Sequence, residues 1–211
     1  MATPSETRSQ YGSERLITFS DGVMAVAITL LVLDLKLPEA ASQGSLAEAL
    51  PGLASALWCY ALSFVVIGVL WMAHHNQFAN IPRVDGGLLW LNLIFLMCVV
   101  LIPFVTSLLS GHDGALPTIC YAAVLTANCV MLALIWWYAR RTPGLMAADV
   151  SEQDRSMGLL APLLVAAVFA GSIGVAYAFG PTAGQWTWLL AAGAGWLANR
   201  LTSTDANANL V

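Results

Sequence analysis

The sequence contains very little charge. Its 211 residues include eight Lys and Arg and twelve Asp and Glu, so only 9% are charged, whereas 59% are hydrophobic. Soluble domains of this size carry roughly 25% charged residues. With a mean hydropathy of +0.76, too few charged side chains remain to cover a soluble surface. The composition therefore predicts an integral membrane protein, and the net charge of −4 excludes the basic character of nucleic-acid binders.

The sequence also lacks the short motifs of common enzymes and metal proteins. No G-x-S-x-G, H-E-x-x-H or paired acidic motif is present, so the chain is not expected to be an enzyme. The four cysteines form no C-x-x-C pair and lie in apolar runs, which favours packing over metal or redox chemistry. They are Cys59, Cys98, Cys120 and Cys129. No cofactor or resident metal ion is predicted.

Six apolar segments have the length expected of membrane spans, since about 20 apolar residues cross a hydrocarbon core of ~30 Å. They are Leu16–Leu35, Leu53–Ala73, Gly87–Leu109, Pro117–Ala139, Met157–Phe179 and Gly184–Asn199. The first is longer than the ~7–15 apolar residues of a signal peptide and is interrupted by Asp21, so we expect a retained helix. The predicted fold class is an all-α integral membrane protein with six transmembrane helices per subunit.

The basic residues predict the orientation of these spans. An even number of spans places both termini on one side of the membrane. Seven arginines fall on that side: Arg8, Arg15, Arg83, Arg140, Arg141, Arg155 and Arg200. Only Lys36 falls on the other, so the positive-inside rule predicts cytoplasmic termini in the cell membrane. We expect one six-span unit over residues 1–211, with a cytoplasmic segment at 1–13 and a flexible tail at 201–211.

The first span carries polar side chains within the apolar stretch Arg15–Leu35. Ser20, Asp21 and Thr29 lie inside it, and a carboxylate at membrane depth is costly unless it faces protein or water. At 100° per residue, one group of apolar side chains falls within a band of about 60°. Its members are Phe19, Val26, Leu30 and Leu33. Thr29 lies at the edge of the band, whereas Asp21 points about 140° and Ser20 about 120° away from it.

Periodicity alone leaves two interpretations of this apolar stripe open. In the first, the stripe faces lipid or the protein core while Asp21 caps a helix or pairs within the bundle, because nearly every buried helix has an aliphatic stripe. In the second, the stripe lines a path across the membrane, and the polar groups serve another purpose on the opposite face.

A motif at the start of this helix favours the second interpretation. Arg15, Phe19, Ser20 and Asp21 form the pattern R-x-x-x-F-S-D, and the helix ends with L-x-L-D-L. With the six-span layout and the histidines of W-M-A-H-H at 71–75, the pattern resembles the transmembrane protein 175 family. These are potassium channels of bacteria, archaea and animal endolysosomes. The layout extends the resemblance over most of the chain, although only the first helix matches specifically.

The resemblance implies a homotetramer in the lipid bilayer whose central pore is lined by the first helix of each subunit. It places the constriction at rings of Val26, Leu30 and Leu33, in place of a T-V-G-Y-G carbonyl filter, which is absent from this sequence too. Thr29 matches a family threonine implicated in ion selectivity. Valine is shorter than the Ile or Leu common at the first ring, so Leu30 is a second candidate for the narrowest ring. Weak hydroxyl ligands predict a modest preference for permeating potassium over sodium among monovalent cations.

Because Asp21 points away from the stripe, we expect it to hold the first helix in place rather than to contact the ion. Its expected partners are Arg15, His74, His75 or Asn76. Three roles of the adjacent histidines stay open: structural hydrogen bonding, proton sensing and metal binding. Neighbouring residues on a helix point about 100° apart, which disfavours a shared metal ion.

Two further alternatives concern the acidic residues of the first span. Asp34 is either a solvated helix end or part of an acidic ring that concentrates cations at the pore mouth. Asp21 is titratable, so the alternative function is a proton-coupled or proton-conducting membrane transporter.

Overall fold

The described part of the chain folds into a bundle of helices. The computed structural model describes residues 11–35, 46–191 and 193. Its helices are α1 (Glu14–Leu30), α2 (Leu46–Ala79), α3 (Gly86–Gly111), α4 (Ala115–Arg141), α5 (Glu152–Phe179) and α6 (Pro181–Trp186). The segment Leu31–Asp34 continues α1 as a 3₁₀ helix. Two short strands, β1 (Tyr11–Gly12) and β2 (Arg83–Val84), pair antiparallel.

Within the described residues, five helices are long and apolar enough to cross a membrane. They cover Glu14–Leu33, Leu53–Ala79, Gly86–Gly111, Ala115–Arg141 and Glu152–Phe179. Each overlaps one of the first five predicted segments, which confirms the predicted all-helical membrane class. The two-residue strands are a local addition that the apolar pattern did not predict.

The sixth predicted segment, Gly184–Asn199, lies partly outside the described residues. Gly180 has φ 94°, a conformation that favours glycine, and turns the chain from α5 into α6. Beyond α6, the ring of Trp188 stacks on Tyr121 of α4 at a centroid distance of 5.0 Å. The indole Nε1 of Trp188 donates to Ser172 Oγ in α5 at 3.0 Å. The start of this segment is therefore held against α4 and α5.

The second span is longer than the sequence predicts. The prediction ends it at Ala73, where the apolar run stops, but α2 continues to Ala79. His74 and Gln77 in this extension are buried, and Gln77 Nε2 donates to the Gly158 carbonyl oxygen in α5 at 3.3 Å. The predicted boundary is wrong because polar side chains here find partners in other helices, so the helix does not need to end where the apolar run does.

One end of the bundle gathers the arginines. The pairing of β1 with β2 brings the residues before α1 next to the connection between α2 and α3. The Tyr138 hydroxyl donates to the Asp85 carboxylate at 2.9 Å, and the Ala147 N–H donates to the Asn80 carbonyl at 3.0 Å. The connection between α4 and α5 therefore lies at the same end. This end carries Arg15, Arg83, Arg140, Arg141 and Arg155.

A glycine permits the close packing of α4 against α5, the most extensive helix pair of the bundle. A Cβ atom at Gly158 of α5 would collide with the indole ring of Trp136 in α4. Trp136 is buried, and its Nε1 donates to the Arg155 carbonyl oxygen at 2.8 Å. The ring therefore has no free space into which it can move without losing this hydrogen bond.

We expect Gly158→Ala to destabilise the protein by roughly 1–3 kcal/mol, as overpacking of a helix contact does. The midpoint of thermal unfolding of the detergent-solubilised chain measures this effect. Gly171→Ala is the matched control, because it lies on the same helix and a Cβ there meets nothing within 4 Å. Alanine at that position should leave the midpoint unchanged or raise it. Equal midpoints for the two variants would contradict the close approach of Trp136.

Candidate functional site

The first helix has one buried and one exposed face. Leu16, Ser20, Met24 and Ala27 are buried against α2 and α3. The exposed face carries all four side chains predicted to form the constriction: Val26, Thr29, Leu30 and, in the 3₁₀ segment, Leu33. The exposed fractions of Val26 and Leu33 are 57% and 69%. Within the described protomer, the predicted apolar stripe is therefore an uncovered surface.

Local backbone geometry refines this surface. Side chains three residues apart eclipse one another in a 3₁₀ helix, so Leu33 stacks nearly in line with Leu30. The Thr29 hydroxyl donates to the Val26 carbonyl oxygen at 2.9 Å and is exposed. This bond uses the only hydroxyl hydrogen, so the lone pairs of Oγ1 remain available to water or to a cation.

An apolar groove of about 450 Å³ runs beside this face, between α1 and α3. It is lined by Thr18, Phe19, Gly22, Val26 and Leu30 of α1 and by Val100 of α3. Gly22 lies open, since a Cβ there would meet nothing within 4 Å. The exposed face and the groove together form one continuous apolar surface in the described part of the protomer.

A buried polar contact holds the opposite face of α1. The amide Nδ2 of Asn92 in α3 donates to Ser20 Oγ at 2.9 Å, and Ser20 Oγ donates to the Leu16 carbonyl oxygen at 2.9 Å. The Asn92 Oδ1 atom lies 2.9 Å from His74 Nε2 of α2. Because an amide oxygen only accepts, Nε2 is the ring nitrogen that carries the proton. Ser20, His74 and Asn92 are fully buried, so the contact joins three helices inside the bundle.

The aromatic surroundings fix the imidazole of His74. Its ring lies parallel to the Phe95 ring of α3, with an interplanar angle of 6° and centroids 5.4 Å apart. The Phe78 ring of α2 lies 4.4 Å away, centroid to centroid. Among the described residues, His74 Nδ1 has no hydrogen-bond partner. Of the three roles considered for the histidines, the contacts of His74 fit structural hydrogen bonding.

Asp21 is held by a residue that the sequence did not suggest. Its Oδ1 atom accepts a hydrogen bond from the indole Nε1 of Trp71 in α2 at 2.8 Å. The predicted partners were Arg15, His74, His75 and Asn76. Within the described residues, none of these forms a hydrogen bond or ion pair with Asp21. The prediction of the partner is wrong because α2 turns His74 toward α3 and presents Trp71 to α1.

The helix divides the R-x-x-x-F-S-D motif between its two faces. Ser20 and Asp21 face α2 and α3, whereas Arg15 and Phe19 lie on the exposed side of the protomer. His75 is also exposed, and its ring contacts the Trp71 ring at a centroid distance of 5.7 Å. Of the six residues predicted to anchor the first helix, Ser20, Asp21 and His74 form the hydrogen-bonded contacts.

The hydrogen-bonded contacts that hold α1 against α2 and α3 are called the anchor below. Two of the residues that form them, Asn92 and Trp71, were not predicted. Asn92 is the only amide side chain in the apolar run of α3, and a lone amide in a membrane span requires a hydrogen-bond partner. That signal was available in the sequence. Trp71 lies one helical turn before His75 and therefore on the same side of α2. Its pairing with Asp21 depends on how α2 is rotated, for which the sequence carries no comparable signal.

The remaining predicted groups lie apart from this anchor. The side chain of Asp34 lies outside the described residues, so the acidic ring stays a prediction. Within residues 11–35, 46–191 and 193, no three His, Cys, Asp or Glu side chains are grouped so that they could hold a metal ion.

The chain is similar in sequence to proteins named as channels. The family described as "Endosomal/lysosomal potassium channel TMEM175" matches residues 15–103. A potassium channel of Streptomyces collinus is 40% identical over 135 residues, which cover 62% of this chain and 66% of that protein. A potassium channel of Chamaesiphon minutus is 32% identical over 157 residues, 71% of this chain and 77% of that protein. The human endosomal/lysosomal proton channel TMEM175 is 26% identical over 142 residues, 66% of this chain and 28% of its own length.

The fold is similar to that of a solved structure. The crystal structure of a lysosomal potassium-selective channel TMEM175 homolog from Chamaesiphon minutus superposes with a TM-score of 0.76 at 25% identity. The superposition covers 89% of this chain and 98% of that one. In the sequence comparison, the chain covers 66% of the length of the Streptomyces relative, which is just under two thirds. The family match over residues 15–103 includes α1 from Arg15 onward, together with Trp71, His74 and Asn92.

We expect Asn92→Ala to destabilise the protein more than Asn128→Ala does, by about 1–3 kcal/mol. Both amides are buried, but Asn128 Nδ2 donates only to the Val124 carbonyl of its own helix at 2.9 Å. Removal of Asn92 leaves Ser20 and His74 without their interhelical partner. Thermal unfolding of the two variants in the same detergent measures the difference. If the two variants lose the same stability, the hydrogen bonds from Asn92 to Ser20 and His74 contribute no more than the single bond that Asn128 makes within its own helix.

Proposed function

The chain belongs to the TMEM175 family, and from this premise we propose that it forms a cation channel with modest selectivity for potassium over sodium. The observation that carries the proposal is the exposed face of α1, which presents Val26, Thr29, Leu30 and Leu33 while the opposite face is anchored. Potassium is the permeating ion, and the proposed mechanism requires no cofactor. The protein is a multi-pass membrane protein. We place it in the cell membrane with its arginine-rich end in the cytoplasm.

The proposed pore forms between four copies of the chain. Helix α1 is held from behind by α2 and α3, so its exposed face is free to point toward a central axis. The apolar groove between α1 and α3 offers a surface on which the neighbouring copy can pack. Association of helices in a membrane depends on such close packing, because lipid tails are as apolar as the side chains themselves. A homotetramer brings four copies of each ring residue together.

Ion passage through this pore is controlled by aliphatic rings. Four leucine or valine side chains exclude water when the ring is narrow, and a ring without water blocks ions. Leu30 and Leu33 lie nearly in line, so they form two consecutive hydrophobic layers, with Val26 one turn earlier. Thr29 supplies hydroxyl oxygens at the edge of this face. A small rotation of α1 would widen the rings and admit a partly hydrated ion.

We expect Thr29→Val to lower the potassium-to-sodium permeability ratio by roughly two- to fivefold, the size of the loss of a weak oxygen ligand. Reversal potentials under bi-ionic conditions, with purified protein in planar bilayers, measure the ratio. Thr126→Val is the matched control, because that hydroxyl bonds only to the Ala122 carbonyl of α4 at 2.8 Å. An unchanged ratio in Thr29→Val, or near-ideal selectivity of the unmodified channel, would contradict the proposed ligand.

We expect Asp21→Ala to impair assembly of the tetramer, because the Trp71 indole then loses its acceptor and α1 loses a contact with α2. Light scattering of the detergent-solubilised protein gives the mass of the assembly. Asp21→Asn keeps an oxygen acceptor and should assemble more completely. If Asp21→Ala assembles normally but changes ion preference, Asp21 contacts the ion and the anchoring role is wrong. A monomeric wild-type protein would contradict the tetramer itself.

A proton-conducting or proton-coupled transporter is the second candidate function. The human relative is named a proton channel, and Asp21 is a titratable, half-buried residue within α1. Planar-bilayer recordings with and without a pH gradient separate the two functions. Discrete potassium currents that do not require a proton gradient support the potassium channel. Flux coupled stoichiometrically to protons supports the transporter and contradicts the channel.

A further inference from the structure

A polar cavity of about 270 Å³ lies at the arginine-rich end of the bundle, and none of its lining residues belongs to α1. It is lined by the end of α4, the connection over residues 142–151 and the start of α5. Lining residues include Arg140, Thr142, Gly144, Ala147, Glu152 and Arg155. At ~30 Å³ per water molecule, the cavity has room for about nine waters or for a small hydrated ion.

The two arginines of the cavity use few of their donors within the protein. Arg140 Nη1 donates to the Arg155 carbonyl oxygen at 3.0 Å. Arg155 Nη1 lies 3.4 Å from Glu152 Oε1, and the Glu152 side chain is 83% exposed. Such an exposed pair at this distance contributes little. The Arg155 Nε atom is buried and has no hydrogen-bond partner among the described residues. Since a guanidinium has five N–H donors, the cavity contains donors that lack an acceptor.

The charges of the lining favour an anion. The lining contains two guanidinium groups, those of Arg140 and Arg155, and one carboxylate, that of Glu152. The planar fork of donors in a guanidinium matches the oxygens of a phosphate group, and Arg binds such groups in a bidentate manner. The chemistry of the cavity therefore fits a phosphate group better than a cation or a neutral ligand.

We propose that this cavity binds a phosphate group, either that of an anionic phospholipid headgroup or free phosphate. The cavity lies between the end of α4 and the start of α5, two helices long and apolar enough to cross a membrane. The ends of such helices are expected near the lipid headgroups. Arg141, beside Arg140, places its guanidinium 5.4 Å from the centre of the Trp137 ring. Tryptophan and arginine side chains are typical of this interface.

The test measures ligand binding to the full-length protein in detergent, without ion flux. The probes are dihexanoyl phosphatidylglycerol, inorganic phosphate and, as the zwitterionic comparison, dihexanoyl phosphatidylcholine, each titrated by isothermal calorimetry. We expect Arg155→Gln and Arg140→Gln to weaken binding of an anionic probe by about three- to tenfold. Arg141→Gln is the matched control, because it removes the same charge from the same helix end but does not line the cavity. Glu152→Gln removes the only acidic group of the lining and should strengthen binding.

The outcomes separate the possible ligands. Binding of phosphatidylglycerol without binding of inorganic phosphate identifies a lipid headgroup, and binding of both identifies a general phosphate site. Three results overturn the proposal: neither anionic probe binds, phosphatidylcholine binds as tightly, or Arg141→Gln weakens binding as much as Arg155→Gln. If Arg155→Gln does not yield folded protein, Glu152→Gln decides, since unchanged binding in that variant also overturns the proposal. None of these results depends on the proposed channel activity.

Discussion

The rotation of α1 depends on the side chain of Asn92. This one amide donates to Ser20 of α1 and accepts from His74 of α2, so three helices share a single buried polar contact. A membrane interior offers no water to replace a lost hydrogen bond, so without this contact the Asn92 amide and His74 Nε2 would be left without a partner. Rotation of α1 about its axis would separate Ser20 from Asn92. The contact therefore favours one rotation of the helix.

A fixed rotation gives α1 two faces with different tasks. The Asp21–Trp71 hydrogen bond adds a second tie, to α2, on the same side as Ser20. The opposite side is exposed within the described protomer, and it carries Val26, Leu30 and Leu33. In the proposed channel, stability and ion passage are therefore assigned to different residues of one helix. In that channel the polar residues hold the helix, and the apolar residues are proposed to line the ion pathway.

Local patterns in the sequence predicted much of this arrangement. The first five apolar segments overlap helices that can span the membrane, and the apolar side chains of the stripe share one face of α1, as the helical period indicates. The same reasoning failed for the end of α2, which continues through buried His74 and Gln77 to Ala79. It also failed for the partner of Asp21. In both cases a polar side chain forms its hydrogen bond with a residue of another helix.

The sequence by itself determined the membrane class, the approximate positions of the five described spans, the gathering of the described arginines at one end and the two-faced character of the first helix. These properties follow from composition and from the 3.6-residue period, which act within one segment. Only the tertiary structure decided which partners the polar residues take: Asn92 for Ser20 and Trp71 for Asp21. These pairings depend on the rotation and depth of each helix relative to its neighbours. That geometry is set by side-chain packing between distant segments, and the R-x-x-x-F-S-D motif at the start of α1 does not encode it.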